Sequence, residues 1–150
     1  MSSKKGLTEQ VGFYYNGIEN DLNDLFKFVF VYEKMNKEGK LSSESEEVFK
    51  DKIKPHILLL QSGDEFTVDH QKDKTLIFRR NDSLIKDFCR HLRNSICHAK
   101  IFKVNQCLYI PDFKNKKEEV TCQGYIEISA VKEFVKTIIK NYETSNTQNG

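Results

Sequence analysis

The chain has 150 residues, and its 24 basic and 22 acidic side chains leave a formal net charge of +2 at pH 7. Eleven phenylalanines and six tyrosines argue against disorder, and the length suits one domain over residues 1–143, followed by a flexible polar tail over 144–150. No apolar run approaches the roughly 20 residues that cross a bilayer, and residues 1–10 lack the apolar stretch of a secretory signal. We therefore expect a cytoplasmic protein that does not associate with membranes.

The spacing of the cysteines and histidines argues against a metal site. The chain has four cysteines: Cys89, Cys97, Cys107 and Cys122. None of them has CxxC spacing and no export signal is visible, so we interpret them as reduced thiols, mostly buried. Cys89, Cys97 and two histidines, His91 and His98, could be drawn as zinc ligands, but they lie in one short helical segment, whereas zinc ligands usually form two separate clusters. We therefore expect no metal and no cofactor.

Apolar spacing predicts the helices of the first half. From about residue 16 to residue 38, apolar residues recur every three or four positions, and Gly39 follows where a helix commonly ends. Ser43 begins the capping box of a second helix. Pro55 must bend or restart that helix because proline breaks the hydrogen-bond ladder, and the run over 57–60 continues it as a buried segment.

The second half mixes helical and strand patterns. The predicted segments are a connection over 63–80 that could contain short strands, a helix over 83–97 capped by Asp82, a β-hairpin with strands over 102–110 and 120–128, and a last helix capped by Ser129 that ends at Tyr142. Helical residues dominate this order. We therefore expect a mainly α fold, a small helical bundle with a β-hairpin inserted before the C-terminal helix.

Basic residues concentrate in one part of the chain. Between Arg79 and Lys103 there are seven basic and two acidic side chains, an excess that the near-neutral total conceals. Such a segment suits a phosphate-rich partner. A solvated helix face with scattered lysines and arginines would have the same composition.

The predicted helix over 83–97 carries a polar stripe that faces away from its apolar side. Asn94 and His98 are one turn apart on that stripe, so the amide could orient the imidazole. Arg93 and His98 would be about 140° apart in an unbroken helix, so both can reach one phosphate only if the helix ends or bends between them or meets a second surface. A polar stripe with apolar borders is also typical of a dimer interface.

Residues 92–101 resemble the signature of the HEPN superfamily (higher eukaryotes and prokaryotes nucleotide-binding). In that signature an arginine, often followed by a polar residue, precedes a histidine by four to six residues, and Arg93, Asn94 and His98 match it. The hairpin and closing helix that follow resemble the plasmid and defence-associated branch of the superfamily. The resemblance implies a HEPN-like helical bundle, usually dimeric and often a metal-independent endoribonuclease, although many members only bind or assemble with partners.

The chemistry of RNA cleavage explains why an arginine and a histidine suit a ribonuclease. The ribose 2′-hydroxyl is an internal nucleophile, a histidine can take its proton near neutral pH, and an arginine can bind the phosphate and offset its developing charge. We hypothesise that His98 is the general base or acid, that Arg93 holds the phosphate and that Asn94 orients either one. The product would be a 2′,3′-cyclic phosphate, and DNA, which lacks the nucleophile, should survive.

Three further residues, Arg90, His91 and Lys100, are expected to guide the RNA backbone. The expected partners are RNA, a second copy of the chain and an antitoxin or effector protein, with a role in toxin activity or anti-phage defence. Two alternatives remain open. The chain could be a non-catalytic module that binds a partner protein or a nucleotide, or a structural dimer in which His98 is an interface residue and Arg93 forms only a salt bridge.

Overall fold

The fold combines four α-helices with a six-stranded sheet in the residues that a computed structural model describes, which are 18–38, 41–61, 63–66, 74–114 and 119–149. The helices are α1 Leu22–Glu38, α2 Ser43–Val48, α3 Leu84–Cys97 and α4 Ile128–Asn149. The strands are β1 Ile57–Leu59, β2 Leu76–Phe78, β3 Phe102–Val104, β4 Cys107–Tyr109, β5 Asp112–Lys114 and β6 Glu119–Glu127. Helix α1 follows a 3-10 turn over Glu19–Asp21, and a π-helical segment over Phe49–Ile53 and a 3-10 turn over Lys54–His56 join α2 to β1.

The long strand β6 organises the sheet. The strand order is β1-β2-β6-β4-β3, and β5 also pairs with β6. Because Phe78 and Asp112 both pair with Cys122, strand β2 lies on one side of β6 and β5 on the other. Only β1 and β2 are parallel among the pairs of described strands. Strand β6 therefore lies between β2 and β5, and residues that follow β2 come close to residues of β5 across it.

The predicted mainly α bundle with a single inserted hairpin is wrong, because six strands form a mixed sheet. Residues 57–59, predicted to continue the second helix, form β1, whereas the connection over 63–80 does contain a short strand as predicted, β2 at 76–78. Three-residue apolar strands are too short to show the period of two that distinguishes a strand from a buried helix segment. Their pairing partner is also distant in the sequence, so no local pattern reveals it.

The predicted hairpin is more elaborate than the sequence indicated. Residues 102–110 do not form one strand but a tight hairpin of β3 and β4, in which Asn105 adopts the left-handed conformation at φ 55°. Asparagine tolerates this conformation better than most residues with a side chain. Strands β4 and β5 then both pair with β6 in antiparallel fashion.

Helix ends differ from the prediction by one or more residues. Ser42 and Ser83 are the N-caps of α2 and α3, and their hydroxyl oxygens accept hydrogen bonds from the backbone N–H groups three residues later. The caps predicted at Ser43 and Asp82 are thus one residue off. Helix α4 begins one residue before the predicted cap and continues to Asn149, through most of the segment predicted as a tail. Residues 16, 17 and 39 and the alternating segment over 67–70 lie outside the described residues.

Three phenylalanine rings hold the helical layer together. Phe49, Phe88 and Phe134 come from the π-helical segment, α3 and α4, and their ring centroids lie 5.6 to 5.8 Å apart. Rings at this separation in tilted or edge-on arrangements attract each other beyond their hydrophobic burial. Leu76 and Ile126 from the sheet join the same core. One face of α3 is therefore fixed in the core, and its remaining faces are available for polar contacts.

Among the described residues, no helix has both the length and the apolar character that crossing a bilayer requires.

We predict that Gly124→Ala destabilises the protein strongly. Gly124 lies in β6 at φ 129°, and a Cβ atom there would be 2.1 Å from the carbonyl oxygen of Thr75. Positive φ alone makes alanine unfavourable by more than about 1 kcal/mol, and the collision with backbone adds to that cost. Urea unfolding should therefore show a larger loss for Gly124→Ala than for Gly63→Ala, where φ is 91° but no atom lies within 4 Å. Equal losses in the two variants would contradict the close approach of β2 to β6.

Candidate functional site

Helix α3 ends at Cys97, and the motif residue His98 is its C-terminal cap. His98 caps the helix with φ −90° and ψ 5°, and Ala99 takes the left-handed conformation at φ 54°. The N–H of Lys100 donates to the carbonyl of Ser95, and that of Ala99 donates to Ile96. These two bonds form a Schellman turn, a common helix ending. The N–H of His98 still donates to the carbonyl of Asn94, so its side chain keeps its helical position one turn after Asn94, where it is exposed.

A buried carboxylate binds α3 to the sheet. Asp112 in β5 is 3 % exposed, and its Oδ2 lies 2.8 Å from Nδ1 of His91 and 3.0 Å from Nδ2 of Asn94. Its Oδ1 accepts a hydrogen bond from the N–H of Phe113 at 2.8 Å. Charge-assisted hydrogen bonds to a buried carboxylate are among the stronger ones in proteins. Asp112 therefore fixes the orientation of both side chains on α3.

His91 is a buried member of this cluster and does not face solvent. It is 2 % exposed, and its ring lies 5.1 Å from that of Phe78. Nη2 of Arg90 is 3.2 Å from Nε2 of His91. Because a guanidinium can only donate, Nε2 accepts and the ring proton is on Nδ1, which donates to Asp112. Both ring nitrogens are therefore engaged inside the protein, so His91 supports the site from beneath.

Arg93 is held from two sides. Its Nε and Nη2 lie 2.8 and 2.7 Å from Oε1 of Glu33 in α1, and its Nη1 donates to Oδ1 of Asn94 at 2.9 Å. Partial burial works against the charged guanidinium, but the hydrogen bond and the charge of Glu33 outweigh it, so the pKa of Arg93 is raised. The ion pair is partly open to solvent, since the two side chains are 34 % and 52 % exposed. An anion from outside can therefore reach this guanidinium.

The structure divides five of the six predicted residues between two environments, and Arg93 lies between them on Glu33 and Asn94. Arg90, His91 and Asn94 line a cleft, whereas Lys100 and His98 are exposed at the end of α3. The amide of Asn94 binds Arg93 and Asp112, and not the imidazole as the helical spacing suggested. Within the described part of the chain, the His98 side chain has no hydrogen-bond partner. Arg93 and Asn94 are thus brought together directly, and His98 lies one turn further on.

The cleft has a volume of about 610 Å³ and is rich in positive charge. Its walls come from the segment after β2, from α3, from β5 and from the start of β6. Four cationic side chains line it: Arg79, Arg80, Arg90 and Lys114. We call this feature the basic cleft. Asn94 lies at its wall and also binds Arg93, so the basic cleft is continuous with the predicted motif.

Sequence reasoning missed the residue that organises the site. Asp112 was counted in the solvated charged turn, although it is buried and binds two residues of α3. Its place between Pro111 and the bulky Phe113 is a weak sign that this part of the turn meets the core. Arg79 and Arg80 were recognised as part of the basic segment but not as site residues, because their approach to Lys114 depends on the sheet.

A metal site from the residues first considered is not formed. Cys89 is buried and Cys97 is exposed, so the two thiols face different surroundings. Among all described residues, no group of three or more His, Cys, Asp or Glu side chains is arranged to hold a metal ion.

We predict that Asp112→Ala unfolds far more easily than the native protein. Removing the carboxylate leaves the N–H groups of His91, Asn94 and Phe113 without their acceptor, and each buried donor left unsatisfied costs about 1–3 kcal/mol. Urea unfolding measures this loss directly. Asp64→Ala is the matched control, since the exposed Asp64 accepts a single bond from the N–H of Gln61. A loss at Asp112 no larger than that at Asp64 would contradict the buried cluster.

We predict that the thiols react at very different rates in the folded protein. Burial raises the pKa of Cys89 and of Cys122, so both hold less thiolate in addition to being inaccessible, whereas Cys97 is exposed. Brief treatment with iodoacetamide followed by mass spectrometry of peptides should show modified Cys97 and unmodified Cys89 and Cys122. All three thiols should be modified once urea has unfolded the protein. Modification of Cys89 as fast as that of Cys97 would disagree with the packing of α3.

Comparison with known proteins identifies the family. The family model described as HEPN pEK499 p136 matches residues 22–149, which include all the helices and strands described above. Searches of curated proteins and of solved structures found no match to the chain. The resemblance that Arg93, Asn94 and His98 indicated is thus confirmed at the level of the superfamily, and this chain belongs to the HEPN pEK499 p136 family.

Proposed function

We propose that the chain is a HEPN-type endoribonuclease that cleaves RNA without a metal ion, with His98 and Arg93 as catalytic residues. The observation that carries the proposal is the position of His98 at the C-terminal cap of α3, five positions after Arg93, where its imidazole is exposed and has no hydrogen-bond partner among the described residues. A histidine in that position can move a proton without first leaving another partner. Membership of the HEPN family supports the same chemistry.

The contact between Arg93 and Glu33 indicates how a phosphate would bind. The carboxylate of Glu33 meets the Nε and Nη2 atoms of Arg93, the edge of a guanidinium that also binds phosphate in bidentate fashion. Nη1 is held by Asn94, which fixes the plane of the group. An RNA phosphate would exchange with Glu33 at this edge, one anion for another. Asn94 would then act as a positioning residue.

The proposed reaction is an internal transfer at phosphorus. His98 accepts the proton of the 2′-hydroxyl, the bond between that oxygen and phosphorus forms, and the bond from phosphorus to the 5′-oxygen breaks. Arg93 offsets the charge that develops on the phosphate oxygens. The leaving 5′-oxygen takes a proton from an imidazolium, either that of His98 or the equivalent in a second copy. The products are a 2′,3′-cyclic phosphate and a 5′-hydroxyl.

An exposed apolar face beside Arg93 supports the proposal of a homodimer. Phe26 and Phe30 are 47 % and 59 % exposed, and the helical spacing places them within about 60° of Glu33 on one face of α1. Exposed aromatic side chains that lie together are typical of an interaction surface. A self-complementary contact over this face would bring the Arg93 sites of two copies close to each other. Toxin or defence activity and an antitoxin partner remain proposals that follow from the HEPN resemblance, and a cytoplasmic location remains a proposal from the sequence.

A second candidate function, a non-catalytic binding module, is favoured by one specific observation. Arg93 is already satisfied by Glu33 and Asn94, as expected of a residue that serves packing and not catalysis. In that case the chain would form a tight complex with a partner protein or nucleotide and show no turnover.

We predict that the purified protein cleaves an end-labelled RNA in EDTA and leaves DNA of the same sequence intact. His98→Ala and Arg93→Ala should each lower the rate by at least about 100-fold, since proton transfer and phosphate stabilisation each contribute that much. The rate is measured by gel electrophoresis, and end-group analysis should find the cyclic phosphate. His56→Ala is the matched control, because His56 is remote from α3 in the sequence and bonds the carbonyl of Lys74.

Two outcomes would count against this assignment. Equal cleavage by the native protein and both α3 variants would point to a contaminating nuclease. No cleavage together with a stable complex recovered from the native host would favour the binding module.

A further inference from the structure

The basic cleft has features that the proposed cleavage chemistry does not use. Its cations come from three separate parts of the chain: Arg79 and Arg80 follow β2, Arg90 lies on α3 and Lys114 ends β5. The motif alone needs none of them. Their convergence is produced by the sheet, because β6 has β2 on one side and β5 on the other.

The charge of the basic cleft favours an anion. Among the described residues, its walls carry two carboxylates, those of Asp112 and Glu119. The oxygens of Asp112 are already occupied by three N–H donors, and Glu119 is exposed opposite Lys114 in the sheet register. His91 also lines the cleft, but its imidazole carries no negative charge that would offset the cations. The four cations thus outnumber the carboxylates, and the more buried carboxylate is fully engaged.

Arg90 is the most rigidly held cation at this wall. Its Nη2 bonds Nε2 of His91, and its Nη1 lies 3.6 Å from Oδ1 of the buried Asp87. These contacts fix the guanidinium plane while the side chain remains 36 % exposed. A donor group oriented in advance binds an anion with less loss of conformational freedom. Such an arrangement fits a phosphate, which accepts several hydrogen bonds from fixed donors.

We propose that the basic cleft binds a phosphate group of a ribonucleotide and that this phosphate neighbours the one held at Arg93. The inference rests on the proposed function only for naming RNA as the source of the phosphate. A volume of about 610 Å³ lies in the range of small-ligand sites and accommodates one or two nucleotide units. Phe113 and Val120 provide an apolar wall against which a sugar or base can lie.

Asn94 links the basic cleft to the motif and so indicates the path that a bound RNA strand would follow. Asn94 lines the basic cleft and accepts a hydrogen bond from Arg93. A strand whose phosphate lies beside Arg90 would therefore continue toward Arg93 and His98. The basic cleft would then hold the substrate in register, and the motif would act on the next linkage. A free nucleotide carries the same phosphate chemistry, so the experiment must distinguish the two sources.

The test measures binding of a ten-nucleotide RNA whose riboses are all 2′-O-methylated, so that no nucleophile is present and cleavage cannot occur. The full chain is compared with the double variant Arg79→Gln/Lys114→Gln, in which both replaced side chains are exposed. The charge-matched control is Lys136→Gln/Lys140→Gln, since these two lysines line a separate groove beside α4. Urea unfolding of each variant shows that it is folded, and Lys114→Gln alone replaces the double variant if that one is not.

We expect the cleft variant to bind the oligonucleotide at least about tenfold more weakly. The slope of log affinity against log salt should fall by about 1.4, or 0.7 for each lost phosphate contact on a single strand. Competition with uridine 5′-monophosphate then identifies the source. If the mononucleotide displaces the oligonucleotide, and does so less well in the cleft variant, the site takes a free phosphate monoester. If the mononucleotide does not displace the oligonucleotide, the site binds the phosphodiester backbone of RNA.

The inference is overturned if the cleft variant keeps native affinity and salt slope, or if the α4 control loses as much binding. These outcomes are separate from failure of the proposed function. Unchanged binding in the cleft variant together with lost cleavage in His98→Ala would sink only the basic-cleft inference. Absence of cleavage in every preparation together with lost binding in the cleft variant would sink only the proposed catalysis.

Discussion

The carboxylate of Asp112 joins the sheet to helix α3, and the geometry of the candidate site depends on it. It accepts hydrogen bonds from His91, from Asn94 and from the backbone of Phe113 in a place almost closed to water. A carboxylate in such surroundings is tolerated only when its oxygens are paired, so the donors and the acceptor hold each other in one arrangement. Because Asn94 is fixed in this way, the plane of Arg93 is fixed as well.

The site is consequently a continuous polar network and not an isolated motif. Glu33 on α1 binds Arg93, and Arg93 binds Asn94, which reaches Asp112. Each contact pairs a donor that carries a positive or partial positive charge with an acceptor of opposite sign. Such networks can contribute more than their separate bonds, since each bond polarises the next. A substrate phosphate that takes the place of Glu33 would therefore act on a group that is already oriented.

Membership of a HEPN family agrees with a motif carried on a helix, but the surroundings of that helix are not those of the expected bundle. Strand β5 of the six-stranded sheet packs against α3 and supplies the buried carboxylate. The sheet also creates the basic cleft, since it brings Arg79 and Lys114 to the same surface as Arg90. His91, expected to meet RNA, is almost entirely buried in the wall of that cleft, with its ring against Phe78.

The sequence by itself determined the helix that carries the motif, nearly to the residue, and the superfamily that Arg93, Asn94 and His98 indicate. Capping and periodicity depend on neighbours within one or two turns, so they are legible in the chain. Only the tertiary structure decided that residues 57–59 form a strand and that Asp112 lies buried against His91, a residue 21 positions away. The reason is that both depend on partners brought near by the folding of distant segments, and no local pattern specifies which partner that is.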